Sequence, residues 1–140
     1  MNYDLQRYID AHDKYYDIAK AELKNGKKQS HYMWFIFPQI QGLGFSEISK
    51  YYAIKNIEEA KAYINNKILK THMQKLLQIL LSLDTNNACN IFGKQDNTKL
   101  KSCLTLFKYA EPDNEIYSKL LDKFFNGQED ILTLKIINKN

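Results

Sequence analysis

The sequence predicts an all-α fold, in which one compact domain of short, unequal helices spans residues 1–140. Two observations favour this class. Apolar side chains recur at three- and four-residue steps in several segments, whereas the alternation of apolar and polar residues that marks strands is scarce. The length of 140 residues and the hydrophobic content of 44% suit a single core.

The N-terminal half is predicted to contain three helices. Apolar residues at three- and four-residue steps predict the first over 3–23, and the Asn-Gly pair that follows ends it. Asn56 followed by Glu59 is a variant of the capping box, in which the Asn side chain accepts from first-turn amides and Glu59 reaches back. This pair predicts a helix over 57–65. A leucine-rich stretch without proline or glycine predicts the next over 68–83.

The C-terminal half carries shorter segments of the same kind. A short helix is predicted over 88–92, ending before Gly93, and a second helix is predicted to begin with Asp96 as its cap. A third is predicted to begin with Asp113 as its cap and to end at Gly127, and a fourth to span 130–137. The last segment has apolar residues that suit either a helix or a strand, and we choose a short helix. No segment repeats at a fixed period, so the helices are expected to pack irregularly and not as a long bundle.

The composition favours a cytoplasmic protein without a metal or a cofactor. The N-terminus is polar from its second residue, and no apolar stretch is long enough to span a bilayer. Cys89 and Cys103 are expected to be buried reduced thiols, because a metal site usually needs several Cys or His ligands in close pairs. The formal net charge of +4 is spread along the chain. It indicates either weak attraction to phosphates or a solvated lysine-rich surface, and nucleic acid is not an expected partner.

The Ser30–Ser49 segment, SHYMWFIFPQIQGLGFSEIS, is the first candidate site. It gathers the only Trp of the chain, one of its two Pro residues, two of its five Gly residues and a His. A pocket needs an apolar wall, backbone that a ligand can approach and a few polar groups, and this segment supplies all three. The alternative is that its aromatic residues form core and its glycines only shape a turn. The candidate ligand-binding residues are Ser30, Trp34, Phe37, Gln39, Gly42, Gly44 and Ser46.

Two chemical roles are expected within this segment. Trp34 or Phe37 would form a flat wall for a base or a sugar. The turn at 42–46 would present amides and a hydroxyl at the N-terminus of the next helix, where free amides and the macrodipole attract anions.

Residues 92–107 form the second candidate cluster. Polar residues at three-residue steps in this stretch would share one helix face and turn towards a common cleft. They are the candidate ligand-binding residues Lys99, Ser102 and Thr105. Asp96 and His31 are the candidate catalytic pair, since carboxylate and imidazole groups act as general acids and bases. The alternatives are that Asp96 only caps an exposed helix and that His31 is structural. The other two histidines, His12 and His72, lie in helical patterns without an obvious partner.

Four strings across nearly the whole chain resemble, in order, a family of small bacterial proteins of unknown function: GKKQSHYMWFIFPQIQGLGFSEISKYYAI, IEEAKAYI, IFGKQDNTKLKSCLTLF and FFNGQEDILTL. The departures are mild, since Tyr32 stands where Trp is usual and Cys103-Leu104 replace a Ser-Met pair. Some members are labelled "calpastatin", but inhibitory segments of that kind are disordered, whereas this chain is patterned for a core. The general layout is also similar to NADAR-like helical domains, which act on ADP-ribose or phosphoribosyl N-glycosidic bonds.

The expected function is therefore a pocket for a small nucleotide or ADP-ribose-like molecule, with hydrolysis of an N-glycosidic bond as its reaction. Asp96 would stabilise the oxocarbenium-like state of that reaction, and His31 would assist the leaving base. The alternative is a non-catalytic module that binds a nucleotide or a partner protein with the same aromatic surface. An enzyme would place His31, Gln39 and Asp96 around one concave site, whereas a protein interface would leave the aromatic residues on a flat face. The sequence leaves the oligomeric state open.

Overall fold

The structure, a computed structural model, describes residues 3–139 of the chain and confirms the all-α class. Within these residues there is no strand, and an isolated parallel bridge joins Ile40 to Ile54. None of the helices in this part of the chain has the length and the apolar character needed to cross a membrane. The eight helices of residues 3–139 are α1 Gln6–Lys24, α2 Met33–Ile36, α3 Glu47–Tyr52, α4 Ile57–Asn65, α5 Lys67–Ser82, α6 Ala88–Ala110, α7 Ile116–Phe125 and α8 Ile131–Lys139.

Helix α6 occupies the centre of the packing, because it contacts α2, α4, α7 and α8, while α1 packs against α5. The buried apolar side chains form one cluster. Large aromatic residues carry much of it, which suits a small core because each buries a large apolar area. The fully buried aromatic side chains are Tyr8, Tyr32, Tyr63, Tyr117, Phe37 and Phe107.

The predicted cap of α4 is confirmed, and the helix has the predicted bounds Ile57–Asn65. Asn56 Oδ1 accepts from the amide of Glu59 at 2.9 Å. The Glu59 carboxylate reaches back one residue further than a capping box requires, since Oε1 accepts from the amide of Lys55 at 2.7 Å. Helix α5 also begins on an Asn cap, because Asn66 Oδ1 accepts from the amide of Leu69 at 3.1 Å. The cap at Asn56 explains why α4 was predictable from the sequence, whereas α5 was predicted from its leucine spacing and its cap at Asn66 was not.

A buried ion pair joins α1 to α4, and its Arg7 also holds the C-terminal end of α3. The guanidinium of Arg7 lies 3.3 Å from Glu59 Oε2, and both side chains are almost without solvent contact. The same guanidinium donates to the carbonyls of Tyr51 at 2.9 Å and Ala53 at 3.1 Å. Because these carbonyls lie just beyond the Ser30–Ser49 segment, Arg7 fixes the far end of the candidate site to the core.

Gly93 breaks α6 into two arms, 88–92 and 94–110. Its φ of 83° and ψ of 174° lie in a region that essentially only glycine adopts. The predicted cap at Asp96 is therefore wrong: the second arm begins directly after the glycine, so Asp96 lies inside its first turn. The predicted cap at Asp113 is also wrong, because α7 begins at Ile116, whose amide donates to Asn114 Oδ1 at 3.1 Å.

Replacing Gly93 by Ala is expected to lower the free energy of unfolding by about 1 to 3 kcal/mol, because the backbone conformation is strained for any residue with a Cβ atom. An added Cβ would meet no atom within 4 Å, so the cost is conformational and not steric. Urea unfolding measures this difference. Gln95→Ala, at an exposed position two residues after the break, is the matched control, and a change of similar size in both variants would contradict the assignment.

The C-terminal segment forms the predicted helix α8. Asp130 precedes it, and its Oδ2 accepts from the amide of Thr133 at 3.0 Å and from its hydroxyl at 2.6 Å. The prediction for the cysteines is half right, because Cys103 is buried and free, whereas Cys89 is free but exposed. Cys89 lies in the first turn of α6, where the neighbouring Ala88 takes the inward position.

Candidate functional site

Two adjoining depressions on one side of the molecule form the candidate site. The first depression has a volume of about 370 Å³ and the second a volume of about 490 Å³. Trp34 and Lys99 line both, so this pair is the wall between them. The first depression is further lined by Lys28, His31, Tyr32, Met33, Phe92, Gly93, Lys94, Gln95 and Asp96. The second is further lined by Gln39, Ile40, Leu43, Gly44, Phe45, Ser46, Ser49, Ala53, Thr98, Ser102, Asp130 and Leu132.

The loop after α1 is held so that Lys28 enters the first depression. The Lys28 amide donates to the Ile91 carbonyl at 2.8 Å, which fixes the loop to the first arm of α6. Glu22 holds the other side, since its carboxylate accepts from the amides of Gln29 at 2.7 Å and Ser30 at 2.9 Å. Burial would raise the pKa of Glu22, but the hydrogen bonds from Ser30 and Gln29 outweigh burial and lower it.

Asp96 lies at the centre of the charged groups in the first depression. Its Oδ2 is 2.8 Å from Lys28 Nζ, and its Oδ1 is 3.3 Å from Lys99 Nζ. Burial would raise the pKa of Asp96, but the hydrogen bonds and charges of the two lysines outweigh burial and hold the pKa below its ordinary value. The Lys28 side chain is only 6% exposed, so the cleft contains a nearly buried ammonium group. Lys94 is the third lysine that lines this depression.

Trp34 gives the cleft its aromatic wall. Its side chain is half-buried, and Lys99 Nζ lies 5.5 Å from the ring centroid, within the range of a cation–π contact. The ring of His31 is exposed, with its centroid 6.5 Å from that of the indole. The structure thus brings His31, Trp34, Asp96 and Lys99 together in the first depression.

Six predicted residues line the second depression: Trp34, Gln39, Gly44, Ser46, Lys99 and Ser102. Gly44 has no room for a side chain, because a Cβ there would lie 2.5 Å from Ser49 Oγ. The predicted anion site at the next helix does not fit this geometry. Helix α3 has only six residues with Glu47 in its first turn, and Ser46 Oγ accepts from the Ser49 amide at 3.2 Å.

Four predicted ligand-binding residues lie outside both depressions: Ser30, Phe37, Gly42 and Thr105. The Ser30 hydroxyl donates to Glu22, and the fully buried Phe37 packs edge-on against Phe92 with ring centroids 5.8 Å apart. Gly42 lies against Ile136, and its φ of 108° suits only glycine. Thr105 is fully buried, donating to the Lys101 carbonyl and accepting from the Asp130 amide, both at 2.8 Å. These side chains serve the fold.

The structure adds lining residues that the sequence did not single out. Lys28 and Lys94 each stand in a lysine-containing turn, but no sequence pattern separates them from the other lysines of the surface. Asp130 and Leu132 stand just before and within the first turn of α8, far along the chain, and Phe45 lies between Gly44 and Ser46 without a pattern that marks it as a lining residue. For Lys28 the sequence held one signal, its position two residues before the Ser30–Ser49 segment. Residues next to a candidate site in the sequence are themselves candidates for that site.

A separate polar cluster around His12 was missed, since the sequence showed no partner for it. His12 Nε2 lies 3.0 Å from both the Phe35 carbonyl and the Tyr63 hydroxyl, and His12 Nδ1 lies 3.1 Å from His72 Nδ1. Burial lowers the pKa of His12 to about 4. The hydrogen bond with the Phe35 carbonyl opposes this shift, and the charge of His72 adds to it. These contacts join α1, α2, α4 and α5 behind the Ser30–Ser49 segment, so the cluster supports the fold.

Comparison with known proteins agrees with the resemblance to a family of unknown function. A family model described as "Protein of unknown function (DUF1810)" matches residues 2–137. The crystal structure of the conserved hypothetical protein Rv1873 from Mycobacterium tuberculosis is similar to this fold, with a TM-score of 0.94 and 35% sequence identity over 96% of each chain. None of the curated proteins matches the chain. Because the family model covers nearly the whole sequence, this chain belongs to the family described as protein of unknown function DUF1810.

Proposed function

We propose that the protein binds a small nucleotide-like molecule, with a phosphate in the first depression and a ring against the wall formed by Trp34. The observation that carries this proposal is a depression lined by three lysines, two of them paired with the same carboxylate, beside a half-exposed indole. Ammonium groups supply the charge that a phosphate needs, and an indole supplies the flat apolar face that a base needs.

The charge balance of the first depression favours an anion. Lys28 and Lys99 together neutralise Asp96 and leave one positive charge, to which Lys94 adds another. The second arm of α6 begins at the same place, and the amides at the start of a helix carry partial positive charge. A phosphate placed there would meet ammonium groups that are already fixed by Asp96, which lowers the entropy lost on binding.

The shape of the cleft favours a small molecule over a flat protein surface. Each depression falls within the range of about 300 to 1,000 Å³ that is typical of ligand pockets. His31 and Asp96 line one concave surface, and Gln39 lines the adjoining one. The aromatic wall therefore lies inside a concavity, which is the arrangement expected of a ligand site.

Binding is better supported than catalysis. Cleavage of an N-glycosidic bond passes through an oxocarbenium-like state, which carries positive charge. Both carboxylate oxygens of Asp96 are paired with lysines, so positive charge surrounds the position at which that state would form. A binding role needs no such state. Hydrolysis with His31 and Asp96 in the cleft is the finer hypothesis, and a separate measurement of cleavage products tests it.

A ligand screen with a matched pair of variants tests the proposal. We expect inorganic phosphate, AMP, NAD or ADP-ribose to raise the melting temperature, because a ligand at 100 times its Kd adds about 2.7 kcal/mol of stability. Lys28→Met should weaken binding by roughly tenfold or more, since a hydrogen bond to a charged group contributes about 1.5 to 3 kcal/mol. Lys27→Met removes the exposed neighbouring lysine and should leave the affinity unchanged.

Two outcomes would contradict the proposal. The first is the absence of any shift with phosphate and with all of the nucleotides. The second is an equal loss of binding in the Lys28 and Lys27 variants, which would show non-specific attraction to a basic surface. Chromatography of the mixture of protein and NAD or ADP-ribose measures cleavage separately, so binding without products would exclude the hydrolase hypothesis for these substrates while keeping the binding function.

A further inference from the structure

We infer that the second depression selects the base of the ligand, and that it prefers a base with an exocyclic amino group to one with an oxo group at the same position. This inference rests on the proposed function, because it assumes that the phosphate lies in the first depression. The shared wall of Trp34 and Lys99 places the second depression directly beside that phosphate position.

Gln39 presents an acceptor to the second depression. Its Nε2 donates to the carbonyl of Met33 at 3.2 Å and to the carbonyl of Phe37. Carbonyl oxygens only accept, so these two contacts fix which end of the amide is nitrogen. The remaining group of this side chain is its carbonyl oxygen Oε1, which accepts hydrogen bonds and has no hydrogen to give.

The hydroxyl groups around the second depression have already donated their hydrogens to the protein. Ser46 Oγ donates to Ser49 Oγ, and Ser49 Oγ donates to the Ser46 carbonyl, both at 2.9 Å. Thr98 Oγ1 donates to the Gln95 carbonyl at 2.9 Å, and Ser102 Oγ donates to the Thr98 carbonyl at 3.1 Å. A hydroxyl has a single hydrogen, so each of these groups offers a ligand only lone pairs.

Asp130 adds a negatively charged acceptor at the same place. Its Oδ2 caps α8 through Thr133, whereas its Oδ1 makes no hydrogen bond within residues 3–139. Lys99, whose ammonium group is paired with Asp96, and the indole N–H of Trp34 are donors, and the other polar side chains of the second depression present acceptors. The first depression presents ammonium groups, so the cleft is chemically asymmetric, with donors at one end and acceptors at the other.

The remaining surface of the second depression is apolar. Leu43, Phe45 and Leu132 line it together with Trp34, and these residues suit the faces of a planar ring. A ring bound between apolar groups directs its edge at the surrounding acceptors, and an amino group on that edge donates to them. An oxo group in its place would put lone pair against lone pair and would leave these acceptors without the hydrogen bond that an amino group donates.

Comparison of AMP with IMP tests this inference, because the two differ in the amino or oxo group on the six-membered ring and in the associated ring proton. Calorimetry on the full chain should show AMP binding about tenfold or more tightly than IMP. Asp130→Asn keeps an acceptor for the cap of α8 and changes the other oxygen into an amino donor. The preference for AMP should then fall by about tenfold. Asp113→Asn, an exposed carboxylate that lines neither depression, should retain it.

The outcomes separate this inference from the proposed function. Equal binding of AMP and IMP, tighter binding of IMP, or an unchanged preference in Asp130→Asn would overturn the inference while the nucleotide-binding function stood. If neither nucleotide bound at all, the proposed function would fail, and the inference would fail with it. A tenfold preference that Asp130→Asn reduces and Asp113→Asn retains would support both.

Discussion

Replacing Glu59 by Ala is expected to lower the free energy of unfolding by about 3 to 5 kcal/mol, since removal of one partner leaves a buried charge uncompensated. The Glu59 side chain is fully buried against Arg7, and its other oxygen accepts from the Lys55 amide. Arg7 would keep its hydrogen bonds to carbonyls but lose its counterion. Urea unfolding measures the change through the midpoint at constant slope.

Glu58→Ala is the matched control for this prediction. Glu58 is the preceding residue of the same helix, but its side chain is exposed and its ion pair with Lys61, at 3.6 Å, is a surface pair. Such pairs contribute little, so its removal should change the stability by less than about 1 kcal/mol. Similar effects of the two substitutions would show that the buried pair does not stabilise the fold.

Acidification is expected to lower the free energy of unfolding by about 3 kcal/mol through His12 alone. The pKa of His12 falls from 6.5 to about 4 in the folded protein, and a pKa difference of one between the folded and unfolded chain corresponds to about 1.4 kcal/mol. Between these two values the unfolded chain binds more protons than the folded one. The contribution is therefore complete above pH 6.5 and is lost as the pH falls towards 4. His72 has a lowered pKa as well, so it acts in the same direction.

Two His variants separate this effect from the titration of carboxylates. His12→Gln keeps an N–H donor for the Phe35 carbonyl but does not titrate, so its stability should depend less on pH between 4 and 6.5 than that of the unchanged protein. His31→Gln, at an exposed position, should leave the pH profile unchanged. A profile that is the same in His12→Gln and in the unchanged protein would refute the role of His12. Stability at each pH is measured by urea unfolding.

The local part of this fold was predictable from the sequence, because caps and apolar periodicity act over a few residues. Helices α4 and α5 show this, since the cap at Asn56 predicts the first and the leucine spacing predicts the second. The start of the second arm of α6 was not predictable in the same way. Asp96 has the chemistry of a cap, but the backbone conformation of Gly93 decides where the arm begins.

The candidate site was predictable as a meeting of two segments but not in its detail. Trp34 and Phe37 are three residues apart in one aromatic run, yet the first is half-exposed in the cleft and the second is fully buried. Tertiary packing, and not local pattern, makes that distinction. The contact of Lys28 with Asp96 joins residues far apart in the chain. Asp130, which lines the second depression, lies in the segment before α8. Such contacts leave no periodic trace in a single sequence.

The fluorescence of Trp34 tests the central claim most directly, because Trp34 is the only Trp of the chain and lines both depressions. Titration with AMP should change its emission saturably, with an affinity that weakens as the salt concentration rises. The change should require a much higher AMP concentration in Lys28→Met and the same concentration in Lys27→Met. An emission that stays constant up to millimolar AMP, in protein shown to be folded, would contradict the assignment of this cleft as a nucleotide site.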